Sequence, residues 1–298
     1  MIVVDDFGLH EGVNRAALAL LMQGRVSAVG ALVDAPAWPE GAAALRSWAA
    51  LPAAATAAAT SDATASARAP CDVGLHLNLT DRLAGGEPFC PSLVRLIAMG
   101  AAGALDLARL RREIHRQLDR FERGWGRMPD FVDGHRHVHQ LSGVAASLVA
   151  LLAERYPQPR PWLRCTTPRW PSGLWPGSRA VGIGAQLKAG LIAALGSRAL
   201  ARLAEREGFA QNRRLHGVYR FEGSAAAHQR RLAVWLAAAR DGDALMCHPA
   251  ATLLPGDPIA PARVIEYQAL SSEEFGAALV QHGVRVSRLP NPCTWRRA

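Results

Sequence analysis

The sequence predicts an α/β fold built on parallel strands, and three observations predict it. Short apolar runs of strand length alternate along the chain with amphipathic helical stretches, the pattern that parallel strands with helical crossovers require. Acidic residues, histidines and arginines cluster at the downstream ends of those runs, where parallel α/β folds gather their loops on one face. At 298 residues, half of them hydrophobic, the chain can bury one large core, and barrels or open sheets of this length are commonly one domain.

Each element has its own signal. Ile2 to Val4 reads as a strand, residues 14–23 (NRAALALLMQ) as a helix, and Val26 to Val33, after Gly24, as a second buried strand. A helix is expected from about Pro39 to Ala50. The alanine-, threonine- and serine-rich stretch at about 51–70 lacks helical periodicity and reads as a low-complexity surface insertion within a single domain spanning 1–298. CDVGLHLNLT is the third strand. Leu110, Ile114, Leu118, Phe121 and Trp125 recur at three- and four-residue intervals and mark one face of a helix. Gly126 and Pro129 punctuate the chain before DFVDGHRHVHQ, the fourth strand. A helix over about Val144 to Arg155 leads to PWLRCTT. A helical insertion at about 178–209 is expected to cover the sheet, and a helix around His228 to Arg240 leads to DALMCHPA.

Composition narrows the function classes. The net charge of +9 invites a nucleic-acid reading, but Lys188 is the single lysine and the arginines are scattered through an alanine-heavy chain, a skew that looks like codon bias. No RNP-like aromatic motif or zinc-finger spacing accompanies them, so no nucleic-acid partner is expected. The five cysteines (Cys71, Cys90, Cys165, Cys247 and Cys293) are odd in number and widely spread, as reduced thiols would be. No run of 18 apolar residues appears and the first residues lack a signal-peptide pattern, which together predict a cytoplasmic protein without a transmembrane segment.

Four stretches can carry chemistry. In DGHRHVH, Asp133, His135, His137 and His139 follow at spacing two, and if the strand persists all four side chains share one face. Imidazoles gathered with a carboxylate suit a divalent metal, with the surplus available to orient the ligands. His76 in GLHLNLT, taken alone among apolar residues, reads as a satisfied core histidine more readily than as a ligand, and only the other motifs raise the ligand reading. His248, which ends MCH just before Pro249, suits proton donation or a strand-end cap equally. The opening MIVVDDFG sets Asp5 and Asp6 side by side at the end of a strand, where the backbone can turn both toward the loops. Two carboxylates so close repel, and a cation on one of them would relieve this and leave the other free as a base.

DDFG with Asn14 behind it, GLHLNLT, DGHRHVH, LRCTT and CHPA, in this order and at these separations, resemble the YdjC-like carbohydrate deacetylases, a family that includes chitooligosaccharide deacetylase and a branch associated with hopanoid biosynthesis. The resemblance covers Asp5 to about Leu289. It implies a distorted seven-stranded (β/α) barrel of the polysaccharide deacetylase type, and metal-dependent removal of an N-acetyl group from an amino sugar with release of acetate. It implies Asp6, His76 and His135 as metal ligands, Asp5 as general base and His248 as general acid, with Arg164 holding the base; His139, on the same strand face as His135 at spacing four, could replace or support it. The cation is expected to be magnesium first, with zinc next, the substrate an acetylated amino sugar, and the assembly a homodimer. The chain departs from the family pattern in the alanine-rich insertion, in residues from about Arg169 to Gly217, and in starting almost on the strand, which leaves an upstream start or a short first strand as the expectation. A metal-dependent hydrolase of another ester or phosphoester is the alternative enzyme, and a non-catalytic scaffold the alternative of another class.

Overall fold

The computed structural model describes residues 1–51, 71–83, 88–169 and 181–289, so the expected insertion at 51–70 lies almost wholly outside the described residues. Seven strands form one parallel sheet: β1 (Ile2–Phe7), β2 (Ala28–Ala31), β3 (Asp72–Leu77), β4 (Phe131–Gly134), β5 (Trp162–Leu163), β6 (Leu215–His216) and β7 (Ala244–Cys247). Their order is β5-β4-β3-β2-β1-β7-β6. The sheet curls into a half-barrel. Its two edges are linked by two isolated parallel bridges, Leu163 with Gln211 and Pro168 with Leu215, and no ladder joins β5 to β6 among the described residues.

Ten helices pack around the sheet among the described residues: α1 (Glu11–Met22), α2 (Trp38–Ala50), α3 (Leu93–Ala101), α4 (Leu107–Trp125), α5 (Val144–Arg155), α6 (Ile183–Ala194), α7 (Ser197–Arg206), α8 (Ala225–Ala238), α9 (Ala260–Ser271) and α10 (Glu273–Gln281). α4 shows the expected face, with Leu110, Ile114, Leu118, Phe121 and Trp125 all buried. Asp106 caps its first turn, accepting from the Arg109 N–H at 2.9 Å, and Gly126 ends it in the left-handed conformation that a glycine C-cap supplies. α6 and α7 supply the helical segment expected over 178–209. The helices α3, α9 and α10 carry no strong periodic signal and were not expected.

The period-two alternation of the strands sorts their side chains onto two faces. Val4, Val29, Val73, Leu75, Val132, Leu163 and Leu245 face outward into the main core beneath the helices. The inner face begins with an apolar floor of Val3, Ala28, Phe131 and Trp162. Two residues further along, toward the carboxyl ends, the same face carries Asp5, Gly30, Asp133 and Arg164, joined by His76 two residues beyond Gly74. The floor is thus one layer below the polar cluster.

Gly74 makes room for that floor. A Cβ at Gly74 would overlap the Phe131 ring, which stacks on Trp162 at 4.4 Å, whereas one at Gly30 would meet the His76 ring at ordinary contact distance. Gly74→Ala is therefore expected to destabilise the protein by roughly 1–3 kcal/mol through overpacking. Urea denaturation checks this, and an unchanged midpoint would show that the floor has slack.

Candidate active site

The end of β1 answers the question of the paired aspartates. The register of β1 against β2 shifts between Val4 and Phe7, and Asp6 adopts φ 63°, a left-handed conformation that aspartate tolerates better than most residues. This irregularity lets Asp5 and Asp6 both reach the inner, loop-side space instead of opposite faces. Asn14 of α1 fixes the turn that follows, accepting from the Gly8 N–H at 2.7 Å and donating to the Ala37 carbonyl at 2.8 Å. Gly8 itself sits at φ 93°, with a backbone carbonyl and Trp38 where a side chain would go.

Each carboxylate has its own arginine. Arg164, fully buried, grips both oxygens of Asp5 at 2.7 Å and reaches Asp133 Oδ2 at 2.6 Å. Arg263 of α9 donates to Asp6 Oδ2 at 2.7 Å. Burial alone would raise the Asp5 carboxyl, but Arg164, His76 and His248 outweigh it and hold it down to about 2. Burial is likewise overcome at Asp6, which Arg263 and His135 keep well below the usual carboxylate range.

The two histidines facing Asp6 present opposite ring nitrogens to it, and each has a carboxylate on the other nitrogen. His76 Nδ1 pairs with Asp133 Oδ1 at 2.7 Å, which leaves Nε2 at 3.4 Å from Asp6 Oδ1. His135 Nδ1 lies 2.9 Å from the same oxygen, and its Nε2 meets Asp81 Oδ2 at 3.1 Å. Burial works against a proton on His76, yet Asp133 and Asp5 raise it to about 10. One atom from each of Asp6, His76 and His135 lies within 4.8 Å of the others. Two nitrogens and one oxygen, each histidine backed by a carboxylate on its other nitrogen, are a group that could hold a divalent cation and leave it open positions. A second grouping of Asp5, His76 and Asp133 meets the same distance limit, but the Arg164 guanidinium already neutralises both of its carboxylates.

The DGHRHVH stretch departs from expectation. β4 stops at Gly134, and His135–Gln140 form a 3-10 segment in which Arg136 and His137 take left-handed φ values of 53° and 60°. The strand does not persist, so the four side chains do not share a face. His135 turns to Asp6, and His137 lines the cleft. His139 is fully buried behind the site with Nε2 2.9 Å from the Arg164 carbonyl, against the backbone that carries Arg164 and away from the place of His135.

His248 lies just past β7, its Nε2 3.8 Å from Asp5 Oδ2 and its ring edge-on to Phe221 at 5.1 Å. Burial depresses it to about 4 against the pull of Asp5 and Asp6. All six side chains expected to act directly or to hold the base (Asp5, Asp6, His76, His135, Arg164 and His248) therefore converge. The cleft above them has a volume of about 670 Å³ and is walled by Leu9, Ile192, Phe221 and Leu254, with Lys188 on its α6 side. Asp133, quoted in its motif without a separate role, proves to be the hub between His76 and Arg164. Asp81, Arg263 and Glu266 were not anticipated: the loop and helix that carry them show no local pattern tying them to the strand ends. A larger cavity of about 750 Å³, lined by Met1, Trp235, Arg240 and Val286 among others, opens at the opposite end of the sheet.

Fold and site together define a parallel α/β protein with carboxylates and imidazoles converging at the carboxyl ends of a curled sheet. The model of the YdjC-like protein family matches residues 1–281, and the chain belongs to that family. A chitooligosaccharide deacetylase of Serratia marcescens is 32% identical over 145 residues, 45% of this chain and 48% of the relative. A carbohydrate deacetylase of Homo sapiens is 30% identical over 156 residues, 48% of this chain and 42% of the relative. The matched stretch spans about half the length of these relatives. A crystal structure from Enterococcus faecalis V583, provisionally assigned to cellobiose-phosphate cleavage, superposes with a TM-score of 0.62 at 18% identity, covering 97% of this chain and 96% of its own, and shares the fold. No helix among the described residues is long and apolar enough to cross a membrane.

Proposed function

We propose that the chain is a metal-dependent carbohydrate N-deacetylase that hydrolyses the acetamide of an acetylated amino sugar and releases acetate. One observation carries this reading: an ionised carboxylate, Asp5, is clamped on both oxygens by Arg164 beside a separate Asp6–His76–His135 donor set. The names of the relatives point to the same chemistry on amino sugars.

Asp6 Oδ1, His76 and His135 would hold the cation, magnesium first, although two imidazoles and a carboxylate also suit zinc. When bound, such a cation polarises the acetamide carbonyl and lowers the pKa of water. Arg263 keeps the second Asp6 oxygen occupied, which limits that carboxylate to one ligating atom. Asp5 accepts the proton of the attacking water as its oxygen bonds to the acyl carbon. His248, whose Nε2 lies 3.8 Å from Asp5 Oδ2, receives that proton through one intervening water and passes it to the sugar nitrogen as the C–N bond breaks. Because burial keeps His248 uncharged at neutral pH, it carries the extra proton only transiently. The apolar wall around Phe221 and Leu254 restricts other water.

The test is acetate release from N-acetylglucosamine oligomers, with magnesium or zinc supplied and then removed by a chelator. Release that stops on chelation and resumes on readdition is the expected result. Ester or phosphoester cleavage without acetate from any acetylated amino sugar would replace this reading with the alternative hydrolase.

A further inference from the structure

His248 is held in an unusual way for a side chain that must aim a proton. Catalytic histidines are commonly oriented by a hydrogen bond from the ring nitrogen that does no chemistry. Here that nitrogen, Nδ1, is buried with no hydrogen-bond partner. Among the described residues, its ring has the edge contact with Phe221 and the open 3.8 Å approach to Asp5, and no hydrogen bond to a side chain orients it. Its direction is therefore set through its own main chain.

That main chain is gripped by α9. Along β7 the Ala244 N–H donates to the Arg214 carbonyl and the Leu245 N–H to the Met1 carbonyl, so alternation turns the His248 N–H to the β6 side, where the ladder ends at the His216–Leu245 pair. That N–H donates instead to Glu266 Oε2 at 2.5 Å, while Glu266 Oε1 accepts from the Tyr219 hydroxyl at 2.6 Å. One turn earlier on α9, Arg263 Nη1 approaches the His248 carbonyl at 3.4 Å, and the Arg263 carbonyl accepts from the Ala250 N–H at 3.1 Å. The same guanidinium binds Asp6 and Asp257. The i, i+3 spacing of Arg263 and Glu266 places both on one face of the helix, against the strand-end loop. Glu266 is almost completely buried, and burying a carboxylate is costly unless its hydrogen bonds are good ones. Burial pushes the Glu266 carboxyl up to about 7, and the bonds from the Tyr219 hydroxyl and the His248 N–H are the ones that oppose this.

We infer that Glu266, anchored by Tyr219 and seconded by Arg263, is the positioning residue for His248: it takes over from the missing strand ladder and fixes the peptide that aims the imidazole at Asp5. The inference rests on the deacetylase reading for its kinetic consequence and on geometry alone for its structural one. Glu266 neither lines the cleft nor belongs to the Asp6–His76–His135 group, so its effect falls on turnover and not on metal affinity.

Three variants of the full chain test it. Glu266→Gln retains a carbonyl for the His248 N–H and an amide that can donate to the Tyr219 oxygen, and it should keep kcat within about threefold of the parent. Glu266→Ala removes the grip, and a displacement of the order of 1 Å should lower kcat by about 10²-fold, with KM and the magnesium affinity measured by calorimetry within about twofold of the parent. Tyr219→Phe leaves the carboxylate with one anchor and should fall between them, which provides the test should Glu266→Ala fail to fold. By NMR, the His248 amide proton should lie far downfield and exchange slowly in the parent and in Glu266→Gln; it should lose both properties in Glu266→Ala. Undiminished kcat in folded Glu266→Ala, equal loss in folded Glu266→Gln, parental kcat in Tyr219→Phe, or a matching loss of magnesium affinity would overturn the inference. If the parent itself releases no acetate, the deacetylase reading fails, and the amide proton still decides whether Glu266 holds the His248 peptide.

Discussion

Asp5→Asn is expected to lower kcat by about 10³-fold, within the usual range for removing a general base, while leaving magnesium affinity close to that of the parent. The reason lies in the separation of the two adjacent carboxylates. Asp6 shares Oδ1 with His76 and His135, whereas both oxygens of Asp5 are taken by the Arg164 fork. An asparagine keeps the size of the side chain and one acceptor for Arg164 but cannot take a proton from water. Steady-state acetate release together with calorimetric metal titration checks both halves. Turnover within tenfold of the parent would move the base elsewhere, and a parallel loss of metal binding would make Asp5 a ligand.

Arg164→Met is expected to cost stability as well as activity. Its guanidinium is completely buried between Asp5 and Asp133, so its removal leaves two buried carboxylates facing one another. Breaking one partner out of a buried ion pair typically costs about 3–5 kcal/mol. The pH dependence gives a sharper signature. In the parent, Asp5 is held down to about 2 against an ordinary 3.8, so its ion pair contributes stability above pH of about 4 that is lost as the pH falls toward 2. Without Arg164, burial dominates and pushes the carboxyl above its ordinary value. The sign then inverts: the ionised pair costs stability at pH 7, and protonation relieves the cost as the solution becomes mildly acidic. Urea midpoints at pH 7 and pH 5 should therefore converge between parent and variant. A gap that stays constant or widens on acidification would show that Asp5 is stabilised by something other than this arginine.

The expected metal chemistry has one refinement. The adjacency of Asp5 and Asp6 suggests a cation as the relief for their repulsion, yet each carboxylate already carries a buried arginine of its own. The cation site is thus an addition to a neutralised pair and need not hold the pair together. His76 makes the linkage concrete, because Asp133 and Asp5 favour a proton on it and a metal must displace that proton.

Much of this protein is determined locally, and so is legible in order along the chain. Apolar runs two to six residues long, separated by helices with three- and four-residue periodicity, specify parallel strands because side-chain alternation and helical pitch are properties of the backbone alone. The placement of Asp5, His76, His135, Arg164 and His248 at strand ends follows, since one register brings every strand end to the same rim. What the tertiary structure decided depends on residues whose neighbours are distant in sequence. The left-handed turn at Arg136 and His137 ends β4 early and sends His139 behind Arg164 instead of into the cleft, an outcome fixed by crowding around Gly134 that spacing cannot express. Arg263 and Glu266 sit on a helix with no motif, and they matter only because α9 packs against the end of β7. Sequence specifies the donors, since chemistry resides in residue type. Packing assigns their partners, since buried charges take their neutralising groups from wherever the fold brings them.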